Sequence, residues 1–270
     1  MVNAKTYSQK DSIKITLLET KVEAFNSKIN NSIITDRPDA TEASSTVGKG
    51  VFQIETGAIY ASFNAGITKT EHYTLNTTLL RFGVLDNLEL RLGWDFVEGV
   101  TKINGNKRDN ITSGFSPLLI GVKIDITEEK KGWPEIALIG HIFPVFGASE
   151  DYRPESTGVD FRFSLSHTLS EKSSLGYNIG AEWGNDSPEA SAVYTLAYGF
   201  SISNKFGIYA ELYGDLPEDN RANHYWDVGL TYLASPDLQF DINTGTSITQ
   251  GQDILVGLGL SYRTKRKNSK

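Results

Sequence analysis

Twelve stretches of about ten residues, spread from Val51 to Arg263, alternate apolar with polar side chains, and no apolar span of helix length interrupts them. Side chains in a strand point to opposite faces with a period of two, so each stretch reads as a strand with one apolar and one polar face. The connections between them alternate between short and long. Together these features predict an all-β chain folded as a transmembrane, antiparallel, up-and-down β-barrel of about 12 strands.

The clearest strand is Leu238–Thr244, where Leu238, Phe240 and Ile242 oppose Gln239, Asp241 and Asn243. Leu88–Phe96 sets Leu88, Leu90, Leu92, Trp94 and Phe96 against Glu89, Arg91, Gly93 and Asp95. In Ser174–Trp183, Leu175, Tyr177, Ile179, Ala181 and Trp183 oppose Gly176, Asn178, Gly180 and Glu182. A soluble antiparallel sheet alternates in the same way, so the decision rests on the whole set. Tight turns near 85–87, 128–132, 170–173, 203–205 and 234–237 separate pairs of strands. The longer polar segments 100–114, 145–157 and 214–223 read as external loops. All eight prolines fall before, between or at the ends of strands, as a closed backbone ladder requires. Trp94, Trp183, Tyr213 and Trp226 are expected at an outer aromatic girdle, and Phe200, Phe206, Tyr232 and Tyr262 at an inner one.

Composition agrees without deciding. The chain has no Cys, 13 Phe and 12 Tyr, and its mean hydropathy of −0.29 looks soluble, as it does for barrels in lipid, where half of every strand faces water. The net charge of −7 is mixed in sign and carries no basic stripe, so nucleic acid is not an expected partner. Residues 1–30 hold no signal peptide, and the chain is read as a mature one from which the signal has been removed. Leu18, Val22, Phe25 and Ile29 are spaced either for a short amphipathic helix or for a terminal arm. The expected organisation is an N-terminal periplasmic arm (1–45) with a latch segment at 33–43, a barrel (46–263), and a basic tail (264–270).

The arm joins the barrel through Thr35–Glu42, which reads T-D-R-P-D-x-T-E, followed by F-Q-x-E-x-G at Phe52–Gly57. Near the end come Asp241–Gly245, then Gln250-Gly-Gln-Asp253 and a glycine-rich last strand. Over about Ile33 to Tyr262 this resembles the outer-membrane proteins named for a MetA pathway of phenol degradation, often labelled transporters. The resemblance implies a Gram-negative outer-membrane barrel, porin-like, that passes small solutes, with aromatic or hydrophobic compounds as candidates. It supplies no catalytic residues. Such barrels end on an aromatic residue, whereas here Tyr262 is followed by a basic tail, a departure that bears on recognition by the barrel-assembly machinery. That machinery, outer-membrane lipid and an unidentified solute are the expected partners.

Function would lie in the lumen. The inward polar faces supply Glu55, Glu89, Arg91, Asp95, Lys123, Asp125, Glu135, His141, Asp160, Arg162, Glu182, Tyr209, Glu211, Tyr213, Asp227, Gln239, Asp241 and Asn243. These groups would either fill a narrow interior as paired ladders or line a hydrated passage biased toward cations and neutral solutes. Asp36, Arg37, Asp39 and Glu42 also admit two readings. One is a solvated lead-in in which Pro38 keeps Arg37 extended. The other is a latch folded into the barrel mouth, with Arg37 on a carboxylate such as Glu55 or Asp241.

The rival classes are a soluble lipocalin-like or sandwich binding protein and an outer-membrane hydrolase. Nucleophilic chemistry needs a histidine beside a serine and an orienting group. Of the four histidines only His141 is expected in the lumen, with His167 on the lipid face and His72 and His224 at strand ends, and no G-x-S-x-G or H-E-x-x-H motif occurs. Asp215, Glu218, Asp219 and His224 read as a solvated loop. No catalytic residue, metal or cofactor is assigned.

Overall fold

The computed structural model of the chain describes residues 32–184, 189–249 and 251–264, and from Ile34 onward they belong to one compact unit. The spacing at Leu18 to Ile29 and the tail from 265 lie outside the described residues.

The strands are β1 (Phe52–Ala65), β2 (Thr68–Leu85), β3 (Leu88–Ile103), β4 (Asn106–Phe115), β5 (Leu119–Thr127), β6 (Glu135–Phe143) and β7 (Gly158–Thr168). They continue with β8 (Ser173–Trp183), β9 (Ala190–Ser201), β10 (Phe206–Pro217), β11 (Asn223–Ser235), β12 (Leu238–Ser247) and β13 (Gln252–Arg263). Pairing is antiparallel throughout, and β1 pairs with β13 from Gln53↔Arg263 upward, which closes the barrel. β4 stands outside the ring. The first half of β3, Leu88 to Gly93, pairs with β5, whereas its second half, Phe96 to Ile103, pairs with β4. Twelve strands therefore close the barrel, and β4 continues the wall beyond the short β5. Both barrel ends, Phe52 and Arg263, lie at the near end, with the turns 86–87, 169–172, 202–205 and 236–237. The 218–222 connection lies at the far end.

Two expected loops are corrected. Segment 100–114 is mostly the β3–β4 hairpin, turned by Asn104 (φ 51°) and Gly105 (φ 78°), the Asn-Gly pair that suits a two-residue turn with positive φ at both positions. Segment 214–223 is mostly the ends of β10 and β11, leaving only 218–222 as connection. Of the three expected loops, 144–157 alone is long, and it carries a single 3-10 turn at Glu150–Tyr152. The barrel also starts at Phe52 rather than at residue 46.

The molecule is inside-out relative to a soluble protein. Among its largest fully buried side chains, Arg81, Lys123, Gln53, Glu55, Glu89 and Asn178 are polar and Ile139 is apolar. Leu90, Ile179, Ile242 and Leu258 are exposed on the outside, Ile179 at 59% and Leu258 at 58%. An outward apolar band of this kind requires lipid around it, and it rules out the soluble-binder reading. Trp183, Trp226, Phe200, Phe206 and Tyr262 face outward as expected. Tyr213, read both at the outer rim and on the inward face, turns inward and stacks on Tyr225 with ring centroids 5.2 Å apart. Trp94 borders a cavity inside the barrel.

Candidate functional site

The lumen is crossed by the chain itself. Residues 34–50 lead into β1 through Gly50, whose N–H donates to Gly83 O at 2.8 Å. Inside, the segment carries no strand ladder of its own, and its backbone groups need partners that the barrel's inward side chains provide. Ile34 O accepts from Gln53, Asp36 N–H donates to Glu55, Ala40 N–H to Glu211, and Glu42 N–H to Asn178. Ser44 donates to Glu135, Thr46 N–H to Asp125, and Val47 N–H to Glu89. Gln239 donates to the Thr35 hydroxyl.

One wall holds the segment with cations. Asp36 receives Lys123 Nζ at 2.9 Å and Arg91 Nη1 at 2.6 Å, with Arg81 Nη1 at 3.3 Å. Arg81 grips Glu89 through two parallel bonds, Nε–Oε1 at 2.8 Å and Nη2–Oε2 at 3.0 Å, and reaches Glu55 at 3.1 Å. Arg91 also pairs with Glu42 of the segment. Burial alone would raise the Asp36 carboxyl, but the Arg81, Lys123 and Arg91 charges outweigh it and hold Asp36 well below the usual carboxylate range. For Glu42, burial is likewise outweighed, chiefly by Arg91, and the group is held low. From Arg91 a chain continues around the wall. Its Nε donates to His141 Nε2 at 3.1 Å, which leaves His141 Nδ1 to donate to Asp160 at 2.8 Å. Arg162 follows at 3.7 Å from Asp160 and 3.8 Å from Glu182.

Arg37 reaches the seam. Its Nη2 lies 3.0 Å from Asp241 Oδ1, and its Nη1 donates to Thr77 at 3.0 Å. Thr77 is aimed there by a bulge in β2 in which Asn76 takes φ 56°. The guanidinium lies over Gly57 and Gly259. A Cβ on Gly259 would come within 2.2 Å of Nη2, and one on Gly57 within 2.6 Å of it and 2.3 Å of the Leu258 carbonyl oxygen, so glycine at both positions leaves room for the guanidinium. Gly57 is the glycine of the F-Q-x-E-x-G motif.

The opposite wall has no cation in reach. Thr41 donates to Glu211, and Glu211 stands directly across the ladder from Asp227. Burial, then Glu211 nearby, pushes Asp39 well above the usual range.

All four expected segment residues therefore lie inside the barrel. Glu55, Arg91 and Lys123 meet at Asp36, and Glu89 and Glu42 join them through Arg91. Asp241 meets Arg37, whereas Glu55 is taken by Arg81 instead. Asp125 and Glu135 bind Thr46 and Ser44. Asp95 borders a cavity of about 510 Å³ on the far-end side of the segment, which Leu79, Leu119 and Phe143 also line and Arg37 and Asp39 floor. A second depression, of about 550 Å³, opens on the lipid side between Tyr198, Ile208, Val228 and Ile242. Sequence reasoning missed Arg81, the most connected cation of the site. Its signal was available, since it alternates with Leu80 and Phe82, but Leu79 beside Leu80 blurs the pattern. It also missed Thr41, Ser44, Gln53 and Ser164, whose roles depend on what crosses the lumen.

Among solved structures, the chain is similar to the COG4313 outer membrane channel from Pseudomonas putida F1, at 12% identity and a TM-score of 0.63, covering 86% of this chain and 100% of that one. It is also similar to the translocator domain of the autotransporter NalP from Neisseria meningitidis, at 11% identity and a TM-score of 0.52, covering 94% and 98%. The KdgM porin in complex with disordered oligogalacturonate follows at 9% identity and a TM-score of 0.50, covering 79% and 99%. At such identities the likeness is one of fold, that of outer-membrane barrels. No curated protein matches the sequence. The family described as "Putative MetA-pathway of phenol degradation" matches residues 35–264, nearly the whole described chain, and the protein belongs to that family.

Proposed function

We propose that the protein is an outer-membrane channel for the passive passage of small solutes, with residues 34–47 acting as a plug that can leave the lumen. One observation carries this reading: side-chain hydrogen bonds and ion pairs hold the segment between Ile34 and Val47, and strand pairing does not. It can therefore withdraw without opening a rung of the barrel ladder. The 510 Å³ cavity next to it, with Leu79, Leu119 and Phe143 facing Arg91 and Asp95, suits a compact solute with an apolar face and a polar edge. That fits a small aromatic compound better than a long sugar chain. The outer-membrane channel and the oligogalacturonate-bound porin of similar fold support the transport reading over a hydrolase.

The test is single-channel conductance of the refolded protein in a planar bilayer, full-length and lacking residues 1–45, paired with uptake of a small phenol into vesicles. Higher conductance and faster uptake in the truncated form are expected. Equal conductance in the two forms, both near zero, would sink the proposal.

A further inference from the structure

Glu211 and Asp227 are register partners on β10 and β11, both inward and nearly fully buried, at 2% and 3% exposure. Each is hydrogen-bonded on its outer side. Glu211 accepts the Ala40 N–H at 2.7 Å and the Thr41 hydroxyl. Asp227 Oδ2 accepts Asn243 Nδ2 at 3.1 Å and the Tyr209 hydroxyl at 3.3 Å. Asp227 Oδ1 has no donor among the described residues, and residues directly across a ladder hold their Cβ atoms about 4.5–5.5 Å apart, which brings the two carboxyl groups together. Two carboxylates cannot hydrogen-bond without a proton between them.

The groups facing the pair supply no alternative. From β9 comes Thr195, from β10 Tyr209 and Tyr213, from β11 Tyr225, and from β12 Asn243 and Asp241. The segment brings Asp39, Thr41, Asp36 and Arg37. Among the described residues Arg37 is the one cation on this side and is committed to Asp241, while Asp36 is committed to the cations of the opposite wall. Asp39 adds a third carboxyl, itself held above its usual range by burial and by Glu211. No set of three His, Cys, Asp or Glu among the described residues is placed to hold a metal ion.

We propose that Glu211 and Asp227 form a proton-binding site that latches the plug. With one proton shared between them, Glu211 turns its free lone pairs to Ala40 and Thr41. When the proton passes to lumen water, two adjacent charges and that of Asp39 stand together in a buried site, and the Asp39–Thr41 turn leaves the wall. The docked state holds one proton more than the undocked state, so linkage favours docking at low pH and release as pH rises. This rests on the plug reading above.

The chain has no Cys, so Ala40→Cys provides a single labelling site in the turn. The experiment compares labelling of Ala40→Cys by a membrane-impermeant maleimide, and conductance in a planar bilayer, across about pH 5 to 9 in the wild-type background and with Glu211→Gln or Asp227→Asn added. Heat-modifiability on gels verifies the folded barrel. In the wild-type background the docking equilibrium is expected to shift by up to about tenfold per pH unit toward release. With Glu211→Gln or Asp227→Asn added, the pH response should shrink to what Asp39 and the thiol itself leave, with conductance held closer to its low-pH level. Labelling that follows this pattern with conductance unchanged would uphold the latch and sink the channel reading. Equal pH response in all three backgrounds would overturn the latch. So would release controlled by calcium and reversed by a chelator at fixed pH.

Discussion

The luminal segment touches two walls built on opposite principles. Over β2, β3 and β5, its Asp36 is neutralised by Lys123 and by Arg81 and Arg91, the two arginines already tied to further carboxylates. Over β10 to β12, its Asp39 and the Glu211–Asp227 pair have no cation to neutralise them. The walls therefore answer pH in opposite senses. Asp36 is depressed, so its contribution is present at neutral pH and is lost only in strong acid, as pH falls through its lowered value. Asp39 is raised, so its side favours docking at low pH and loses that as pH rises. A plug held in this way can be released from one side while the other stays anchored.

The strongest way to break this comparison is to remove both contacts together. Deleting residues 1–45 should raise conductance more than any single substitution. If Arg81→Ala opened the channel as far, the cationic wall alone would be the plug's hold. Arg81→Ala leaves the buried Glu55 without a cation and Glu89 with Arg91 alone, and should cost about 3–5 kcal/mol in denaturant titrations of the refolded protein. Arg81→Lys should recover only part of this, because a lysine cannot make the two parallel bonds to Glu89.

A substitution that weakens the barrel while leaving both walls intact sharpens the contrast. Ile179→Arg on the lipid face should cost about 2–4 kcal/mol near the bilayer midplane and leave maleimide access to the plug unchanged. The inward neighbour Gly180 is no neutral control, since a Cβ there would lie 2.0 Å from the Phe161 carbonyl oxygen. Gly259→Ala, where an added Cβ would meet only Arg37, should cost about 1–3 kcal/mol by crowding it. It should raise conductance with the strands still formed, and unchanged conductance would mean that Arg37 does not anchor the plug. A small effect is expected from Thr41→Val, about 0.5–1.5 kcal/mol for each of the two hydrogen bonds its hydroxyl makes, with Glu211 and Thr195. A fall in plug protection larger than that of Arg81→Ala would invert the ranking of the two walls.

Much of the wall was legible because its physics is local. Leu238, Phe240 and Ile242 had to share a face opposite Gln239, Asp241 and Asn243 whatever the strand paired with, and the lumen residues followed. The β3–β4 hairpin was not read, although Asn104-Gly105 is a strong turn signal, because Lys102, Lys107, Arg108 and Asp109 give it the composition of a loop. In the segment, Arg37 and a carboxylate partner could be anticipated from residue type alone. The convergence of Arg81, Arg91 and Lys123 on Asp36 could not, because it depends on the stagger of strands around a closed barrel, which no local pattern encodes.

The bond between Arg37 and Asp241 spans 204 residues of sequence, and the arginine lies over a glycine of the first strand and a glycine of the last. Neither its seat nor its counter-charge exists until β12 and β13 have arrived and β13 has met β1. The segment, synthesised before the strands that seat it, is thus among the last to find its place. A barrel still open at its seam offers that arginine nowhere to rest, so a docked plug is a sign, readable from inside the lumen, that assembly is complete.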